Sequence, residues 1–434
     1  MLCKLGVSFI IYNYVKSKVI ITEGGDSYEI YKKRCSVWHY ICNDTVNDGC
    51  SKYKVKDEQV GQKALFPDYE YNQELAQQIY GQSKMAIAPN GYYYIIDNIL
   101  YFYNIDSDIN MPLCSKVNCR HNDNTCDAYV STINTENGTF ECNCMGEKIM
   151  YYNGSIYCIE VTKDRDYYLY QYDSTFSNRK QVTRLASIKD EQLMVSDAQA
   201  CLISDGYMYY YASYLDSKYA ENDYTASFYA CRIKLDNNSS REVLGEFQFP
   251  GDYAMKAGQS NGFSIYFTDN SIYFYAGGAA RMYTANNSVQ YHVSKYNPDN
   301  SQYTDLYVHS GNSGLNVFGE GTGYVNSMSQ GGYVRTDSEG NFYIMTSSKA
   351  KDNNNIIKVN FDKNTCEVIY TTQMEKLDYL QSDGEYLYFF ESDSVKDKKS
   401  LLTVIDMSGN VKTQYEMEMT KSIWLKCRNI QDRM

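Results

Sequence analysis

The sequence predicts an all-β chain folded as a β-propeller of six four-stranded antiparallel blades, with seven blades as the alternative. Three observations support this prediction. A Gly or Asn turn that leads into a Tyr-rich strand recurs six times, a second turn containing Asp or Asn follows each copy, and Tyr accounts for 47 of the 434 residues whereas Pro accounts for 5. A supersecondary unit repeated at blade-length intervals indicates a radial or solenoid array.

The first repeated turn would join two strands of each blade. Gly and Asn tolerate positive φ, so each copy can close a tight hairpin. The residues that follow are aromatic or aliphatic at successive positions, which is typical of strands covered on both faces. The six copies read NGYYYI (90–95), NGSIYC (153–158), DGYMYY (205–210), DNSIYF (269–274), EGNFYI (339–344) and DGEYLY (383–388).

The second repeated turn is followed by a short polar run and another strand-like segment, so each unit has room for four strands. Asp and Asn suit such turns because their side chains hydrogen-bond the backbone ahead of them. Successive copies lie 44 to 69 residues apart, and a minimal blade needs about 40–50 residues, so most blades carry loop insertions. The turns are marked by Asn104, Asp173, Asp236, Asn297, Asp362 and Asp406.

The abundance of Tyr fits the packing between blades. Sheets that pack face to face stand about 10 Å apart, and a flat ring fills that gap while its hydroxyl group finds a polar partner. We therefore interpret most of the tyrosines as packing between blades rather than as ligand-stacking side chains.

The repeats place the propeller at residues 84–420, after an N-terminal segment and linker at 1–83. Within that segment, Asn72 is suited to cap one short helix that would end at Gly81. The tail at 421–434 could start a seventh blade or close the ring with the N-terminal part.

The first 50 residues contain no intact signal peptide. The apolar run at 5–12 is far shorter than the roughly 20 residues that span a bilayer. Cys50 nevertheless follows Gly49 and precedes a Lys-rich polar tether, as at the mature start of a bacterial lipoprotein. This arrangement makes Cys50 a candidate lipid anchor.

The net charge is −12, and no cluster of Lys and Arg stands out. A surface that tracks phosphates needs such a cluster, so nucleic acid is not an expected partner. We expect a monomer, because the repeats would close into one body.

The segment at 112–129, PLCSKVNCRHNDNTCDAY, gathers four potential metal ligands: Cys114, Cys119, His121 and Cys126. Three thiols and an imidazole are sufficient for a tetrahedral zinc site. Cys142 and Cys144 follow closely, and an oxidising compartment would instead join these cysteines in disulfides, which is the interpretation we place first. In either case the Cys-rich loop at 112–144 would hold the chain after the first blade.

Three strings also carry a resemblance to a known group: residues 85–104, 111–129 and 383–390. They resemble the extracytoplasmic β-propeller lipoproteins of Gram-positive anaerobes, which are related in form to low-density-lipoprotein-receptor-related and TolB-like propellers. The resemblance implies a location in the cell envelope or outside the cell, and it brings no established activity.

Two functions follow as expectations. The first is a binding or scaffolding module whose partner is a peptide, a glycan or a cell-envelope protein. The alternative is a carbohydrate-active hydrolase or lyase with carboxylates at the propeller channel. One further string, GQSNG at 258–262, matches a nucleophile elbow with His292 and His309 downstream, but the strand-like sequence after it indicates a loop.

Overall fold

A computed structural model of the chain confirms the all-β prediction. It describes residues 19–23, 26–30, 77, 85–96, 99–122, 125–130, 148–162, 166–175, 178–196, 200–214, 225–236, 239–250, 261–279, 289–311, 334–346, 354–382, 384–393 and 399–418. Six antiparallel sheets, arranged as a ring, form a six-bladed β-propeller. A hairpin of β1 (Val19–Glu23) and β2 (Asp26–Ile30) precedes them.

The strands of the blades follow one another along the chain. Blade 1 contains β3 (Met85–Ala88), β4 (Gly91–Ile96), β5 (Ile99–Asn104) and β6 (Ile109–Pro112). Blade 2 contains β7 (Ile149–Tyr152), β8 (Ser155–Val161), β9 (Asp166–Asp173) and β10 (Arg179–Ser187). A single helical turn, α1 (Ile188–Glu191), leads into blade 3, which contains β11 (Leu193–Val195), β12 (Cys201–Ser204), β13 (Tyr207–Tyr214), β14 (Thr225–Lys234) and β15 (Glu242–Pro250).

The remaining blades repeat the pattern. Blade 4 contains β16 (Asn261–Thr268), β17 (Ser271–Ala279), β18 (Val289–Asn297) and β19 (Gln302–Gly311). Blade 5 contains β20 (Val334–Thr336), β21 (Phe342–Thr346), β22 (Asn355–Asn360) and β23 (Thr365–Thr371). Blade 6 contains β24 (Lys376–Ser382), β25 (Tyr386–Ser392), β26 (Lys399–Asp406) and β27 (Val411–Glu418).

Each blade begins at the channel and ends at the rim. The first strands contact one another from blade to blade, β3 with β7, β7 with β12, β12 with β16, and β20 with β24. The last strands are largely exposed, as in β6 and β23. Blade 3 differs because its first strand is split, and both β11 and β12 pair with β13.

The first repeated turn lies between the first and second strands of every blade, as predicted. In blade 2 its central residues, Asn153 and Gly154, have φ of 45° and 76°. In blade 4 the same positions are Asp269 and Asn270, both with φ of 50°. Two successive residues with positive φ give the turn whose twist matches that of a hairpin, which explains the Gly and Asn signature in blades 2 and 4. In blade 1, Gly91 does not have a left-handed φ.

The second repeated turn lies between the third and fourth strands of each blade, and a strand follows it, as predicted. Asp173 Oδ1 accepts a hydrogen bond from the Thr175 N–H at 3.1 Å. Asp406 Oδ1 accepts two, from the N–H groups of Ser408 and Asn410, both at 2.9 Å. The acidic or amide side chain thus replaces a backbone acceptor within the turn.

Hydrophobic clusters fill the interfaces from blade 1 to blade 6, and in each interface the second strand of the earlier blade contributes a buried tyrosine. We call these five side chains the forward-facing tyrosines: Tyr93, Tyr157, Tyr209, Tyr273 and Tyr343.

Two of the forward-facing tyrosines donate a hydrogen bond to the second repeated turn of the next blade, and a third approaches that turn. Tyr93 donates to the carbonyl of Ser174 at 3.2 Å, and Tyr273 donates to Asp362 Oδ2 at 2.6 Å. The hydroxyl of Tyr343 lies 3.5 Å from the carbonyl of Met407 and 2.9 Å from Asp337 Oδ2 of its own blade. All five tyrosines therefore pack between blades, and Tyr93 and Tyr273 also anchor the second repeated turn of the next blade.

Several predicted features lie outside the described residues. They include Cys50, the tail at 421–434 and the cysteines at 142 and 144. Of the helix predicted between Asn72 and Gly81, Gln77 is described, and its backbone is helical. Within the described part of the chain, no helix is long and apolar enough to span a bilayer.

Candidate functional site

The four potential metal ligands lie on a loop that leaves blade 1 and returns to it. We call residues 113–128, of which 123 and 124 are not described, the Cys-His loop. At its start the Leu113 N–H donates to the carbonyl of Leu100 at 3.0 Å. At its end the Ala128 carbonyl accepts from the Leu100 N–H at 2.9 Å. Both ends are therefore tied to the same residue of β5.

The loop brings its four candidate ligands together, as the sequence predicted. The Sγ atoms of Cys114, Cys119 and Cys126 and a ring nitrogen of His121 all lie within 4.8 Å of one another. His121 Nδ1 is 3.4 Å from Cys126 Sγ. All three cysteines are free thiols. Cys126 is buried and the other three ligands are half-buried.

Backbone N–H groups point at two of the sulfur atoms. Burial acts to raise the pKa of the Cys114 thiol, but hydrogen bonds from the N–H groups of Lys116 and Asp127 outweigh it, and the pKa is lowered. Burial raises the pKa of Cys126 to about 12, even though the Ala128 N–H donates to its sulfur. In both cases one donor lies two residues after the cysteine, so the backbone is folded around the sulfur atoms.

An ion pair holds the two arms of the Cys-His loop together. Lys116 Nζ lies 2.7 Å from Asp127 Oδ1 and donates to the carbonyl of Thr125 at 2.5 Å. Ser115 Oγ donates to the same carboxylate at 3.0 Å. The hydrogen bond with Asp127 raises the pKa of Lys116, and the one with Lys116 lowers the pKa of Asp127.

Two residues of the loop have an unusual backbone conformation. Asn118 has φ of 62° and His121 has φ of 51°. Left-handed conformations are uncommon for residues other than Gly, although Asn and His adopt them more readily than most. At His121 this conformation accompanies an imidazole directed at the thiols.

The Cys-His loop also covers the boundary between blades 1 and 2. Leu113, Cys126 and Ala128 belong to one buried hydrophobic cluster. The same cluster contains Ile149 and Ile156 of blade 2. Whatever fixes the loop therefore also stabilises this interface.

A second polar arrangement lies at the edge of β12 that faces away from β13. The Gln77 carboxamide donates through Nε2 to the Ile203 carbonyl at 2.8 Å and accepts through Oε1 from the Ile203 N–H, also at 2.8 Å. Lys148 Nζ donates to the carbonyl of Cys201 on the same edge at 2.6 Å. Gln77 and Lys148 are both buried. We call this edge, from Cys201 to Ile203, the channel edge.

Sequence reasoning did not identify the channel edge. Gln77 and Ile203 are 126 residues apart, and Lys148 and Cys201 are 53 apart. Neither polar residue belongs to a motif, so only the ring geometry brings them to β12.

The carboxylates of the described blades bear on the hydrolase or lyase alternative. Two are buried in second strands, Glu160 of β8 and Glu391 of β25. Glu160 accepts a hydrogen bond from the hydroxyl of Tyr172 in its own blade at 2.5 Å. Glu391 accepts one from the hydroxyl of Tyr370, which lies on β23 of blade 5, at 2.8 Å. The described carboxyl groups with a shifted pKa all have a lowered value, opposite to the shift of a general acid.

The histidines downstream of the GQSNG string have packing roles. His292 stacks on Phe247 with ring centroids 4.5 Å apart. Its Nε2 lies 3.1 Å from Asp305 Oδ1. Burial lowers the pKa of His292, against the opposing effect of Asp305. Ser260, the serine of the string, lies outside the described residues.

The chain was compared with known proteins. No family model and no curated protein matches it. Among solved structures, TolB from Acinetobacter baumannii is 9% identical over 76% of this chain and 61% of its own, with a TM-score of 0.34. A prolyl endopeptidase is 12% identical over 78% of this chain and 44% of its own, with a TM-score of 0.42.

A third similar structure is an oligogalacturonate lyase in complex with manganese. It is 8% identical over 81% of this chain and 90% of its own, with a TM-score of 0.29. The chain therefore spans about three fifths of TolB and less than half of the prolyl endopeptidase.

Proposed function

We propose that the chain is a binding or scaffolding β-propeller that recognises an extended peptide segment of a partner at the channel edge. The observation that carries the proposal is the pair of hydrogen bonds between the Gln77 carboxamide and Ile203. A carboxamide presents the same donor and acceptor as a peptide group. The edge of β12 thus offers the hydrogen-bonding groups that an added strand would use.

The proposed binding mode is strand addition. An extended peptide gains affinity from main-chain hydrogen bonds and specificity from pockets for alternate side chains. In this mode Gln77 occupies the edge in the free protein and a partner peptide replaces it. Lys148, bound to the Cys201 carbonyl, marks the other end of the same edge.

The proposed partner is a peptide or a cell-envelope protein, and the proposed location is the cell envelope or the exterior of the cell. The location rests on the sequence resemblance, and Cys50 is the candidate lipid anchor. Neither is required for the binding mode, since the channel edge is built from residues of blade 3.

The test uses the full chain on peptide and glycan arrays, with Gln77→Ala and the matched control Gln302→Ala. Gln302 is exposed on β19 of blade 4, and its backbone N–H donates to Asn300 Oδ1, so it does not take part in the channel edge. Removing an intramolecular occupant raises the population of binding-competent protein, so we expect peptides to bind Gln77→Ala at least about fivefold more tightly than wild type. Gln302→Ala should match wild type.

Two results would contradict the proposal. One is binding to glycans alone. The other is peptide binding whose affinity is the same in wild type and Gln77→Ala.

A further inference from the structure

We propose that Cys114, Cys119, His121 and Cys126 bind one structural zinc ion. In a tetrahedral site with Zn–S near 2.3 Å and Zn–N near 2.0–2.1 Å, neighbouring ligand atoms lie about 3.5–3.8 Å apart. Here His121 Nδ1 and Cys126 Sγ are separated by 3.4 Å, and all four ligand atoms lie within 4.8 Å of one another. Shifts of about 1 Å or less would bring them to the spacing of a zinc site.

The imidazole distinguishes this site from a disulfide. A disulfide bond is about 2.05 Å long and would join two of the three thiols. A disulfide would therefore use two of the four groups and would leave the third thiol and His121 outside the bond. A zinc ion uses all four groups.

The folding of the loop around the sulfur atoms agrees with a metal site. The N–H groups of Lys116 and Asp127 donate to Cys114, and that of Ala128 donates to Cys126. Hydrogen bonds to metal-bound thiolates fix the orientation of the ligands and spread their charge. The ion pair of Lys116 with Asp127, at 2.7 Å, joins the two arms of the loop beside the ligands and leaves the local net charge unchanged.

The ion would have a structural role. Four protein ligands complete the tetrahedral coordination of zinc and leave no position for a substrate. The ligands span both arms of the Cys-His loop, whose ends are bound to Leu100 of β5. The ion would thereby fasten the loop over the interface of blades 1 and 2.

Metal analysis of the purified full chain tests the proposal. We expect one zinc per chain by inductively coupled plasma mass spectrometry. In the cobalt-substituted protein, we expect the absorption bands of tetrahedral Co²⁺ with thiolate charge transfer. X-ray absorption at the zinc edge should give three sulfur ligands and one nitrogen ligand.

Three variants localise the ion. Cys119→Ser and His121→Ala should each weaken zinc binding by at least about 100-fold, since even changes to outer-shell groups cost 10–100-fold. The matched control is Cys366→Ser, because Cys366 is a free thiol on β23, outside the cluster. It should retain one zinc per chain.

Intact mass and thiol counting on the wild-type protein decide the question even where a variant fails to fold. Three zinc-protected thiols that become reactive on chelation would support the proposal. The proposal would be overturned if the intact mass showed oxidised thiols, a disulfide were mapped to Cys114, Cys119 or Cys126, and the protein contained no zinc. Zinc retained in full by both Cys119→Ser and His121→Ala would overturn it as well. The proposed peptide binding at β12 does not enter either outcome.

Discussion

The hydroxyl group of Tyr273 should stabilise the ring by linking blade 4 to blade 5. It donates to Asp362 Oδ2 at 2.6 Å, and Tyr273→Phe removes this bond while it keeps the fully buried ring. Hydrogen bonds to charged groups contribute about 1.5–3 kcal/mol. Asp362 keeps its ion pair with Lys295 at 2.9 Å and is about one third exposed. The loss should therefore be near the lower limit, about 1.5 kcal/mol of the free energy of unfolding.

The chain offers a matched control two residues further along the same strand. The ring of Tyr275 is also fully buried, and its hydroxyl has no hydrogen-bond partner among the described residues. Tyr275→Phe therefore removes a buried polar group without breaking a bond, and it should be neutral or stabilising by up to about 1 kcal/mol. Urea denaturation followed by circular dichroism would measure both changes from the midpoint at constant slope.

The pH dependence of the stability difference between wild type and Tyr273→Phe shows whether the difference comes from the bond to Asp362. Burial acts to raise the pKa of Asp362, but hydrogen bonds from Lys295 and Tyr273 outweigh it and lower the pKa. The stabilisation of the folded state by ionised Asp362 is therefore complete above the pKa of the unfolded chain, near 3.9. It is lost as the pH falls through the lower pKa of Asp362 in the folded protein. The difference in free energy of unfolding between wild type and Tyr273→Phe should have its maximum value at pH 6 and should decrease below pH 4. Equal destabilisation by Tyr273→Phe and Tyr275→Phe would refute this reasoning.

Two further predictions test a turn and the channel edge. Gly409 has φ of 89°, and an added Cβ would overlap the carbonyl of Ile369. Gly409→Ala should lower the free energy of unfolding, measured by urea denaturation, by about 3 kcal/mol or more. Gly154 has φ of 76° and no atom near the added Cβ, so Gly154→Ala should lower it by about 1–2 kcal/mol. Similar losses in the two variants would contradict the turn geometry. In Gln77→Ala, the Ile203 amide should exchange with deuterium at least tenfold faster than in wild type, because its acceptor is lost. Unchanged exchange would show that Gln77 does not protect it.

Local chemistry explains why most of the fold could be predicted from the sequence. The two repeated turns depend on positive φ at residues such as Gly154 and on side-chain acceptors such as Asp406, and both requirements are met within a few residues. The same holds for the Cys-His loop, since its four ligands fall within 13 residues of sequence. Proximity in sequence was sufficient to predict that they meet.

The unpredicted part of the structure depends on contacts between distant segments. The Gln77 carboxamide reaches Ile203 across 126 residues, and no composition or spacing indicates this contact. The split first strand of blade 3 is another such case, since β11 and β12 take their positions from β13. Sequence patterns predict the strand pairing within a blade. The contacts at the channel edge depend instead on how the ring brings distant segments together.

The two faces of the second strand explain why Tyr recurs in register with the turn. In blades 2 to 5, the residue before each forward-facing tyrosine points back to the preceding blade and is Ile156, Met208, Ile272 or Phe342. The forward position is always Tyr, which fills the gap between sheets and can also reach a polar turn.

Blade 6 follows the same rule. Leu387 belongs to the cluster shared with blade 5, whereas Tyr388 lies on the opposite face. The forward position of the last blade is therefore also Tyr. Since this position fills an interface in every earlier blade, the sequence of blade 6 is suited to one more sheet-to-sheet contact, which in a six-bladed ring is the contact with blade 1.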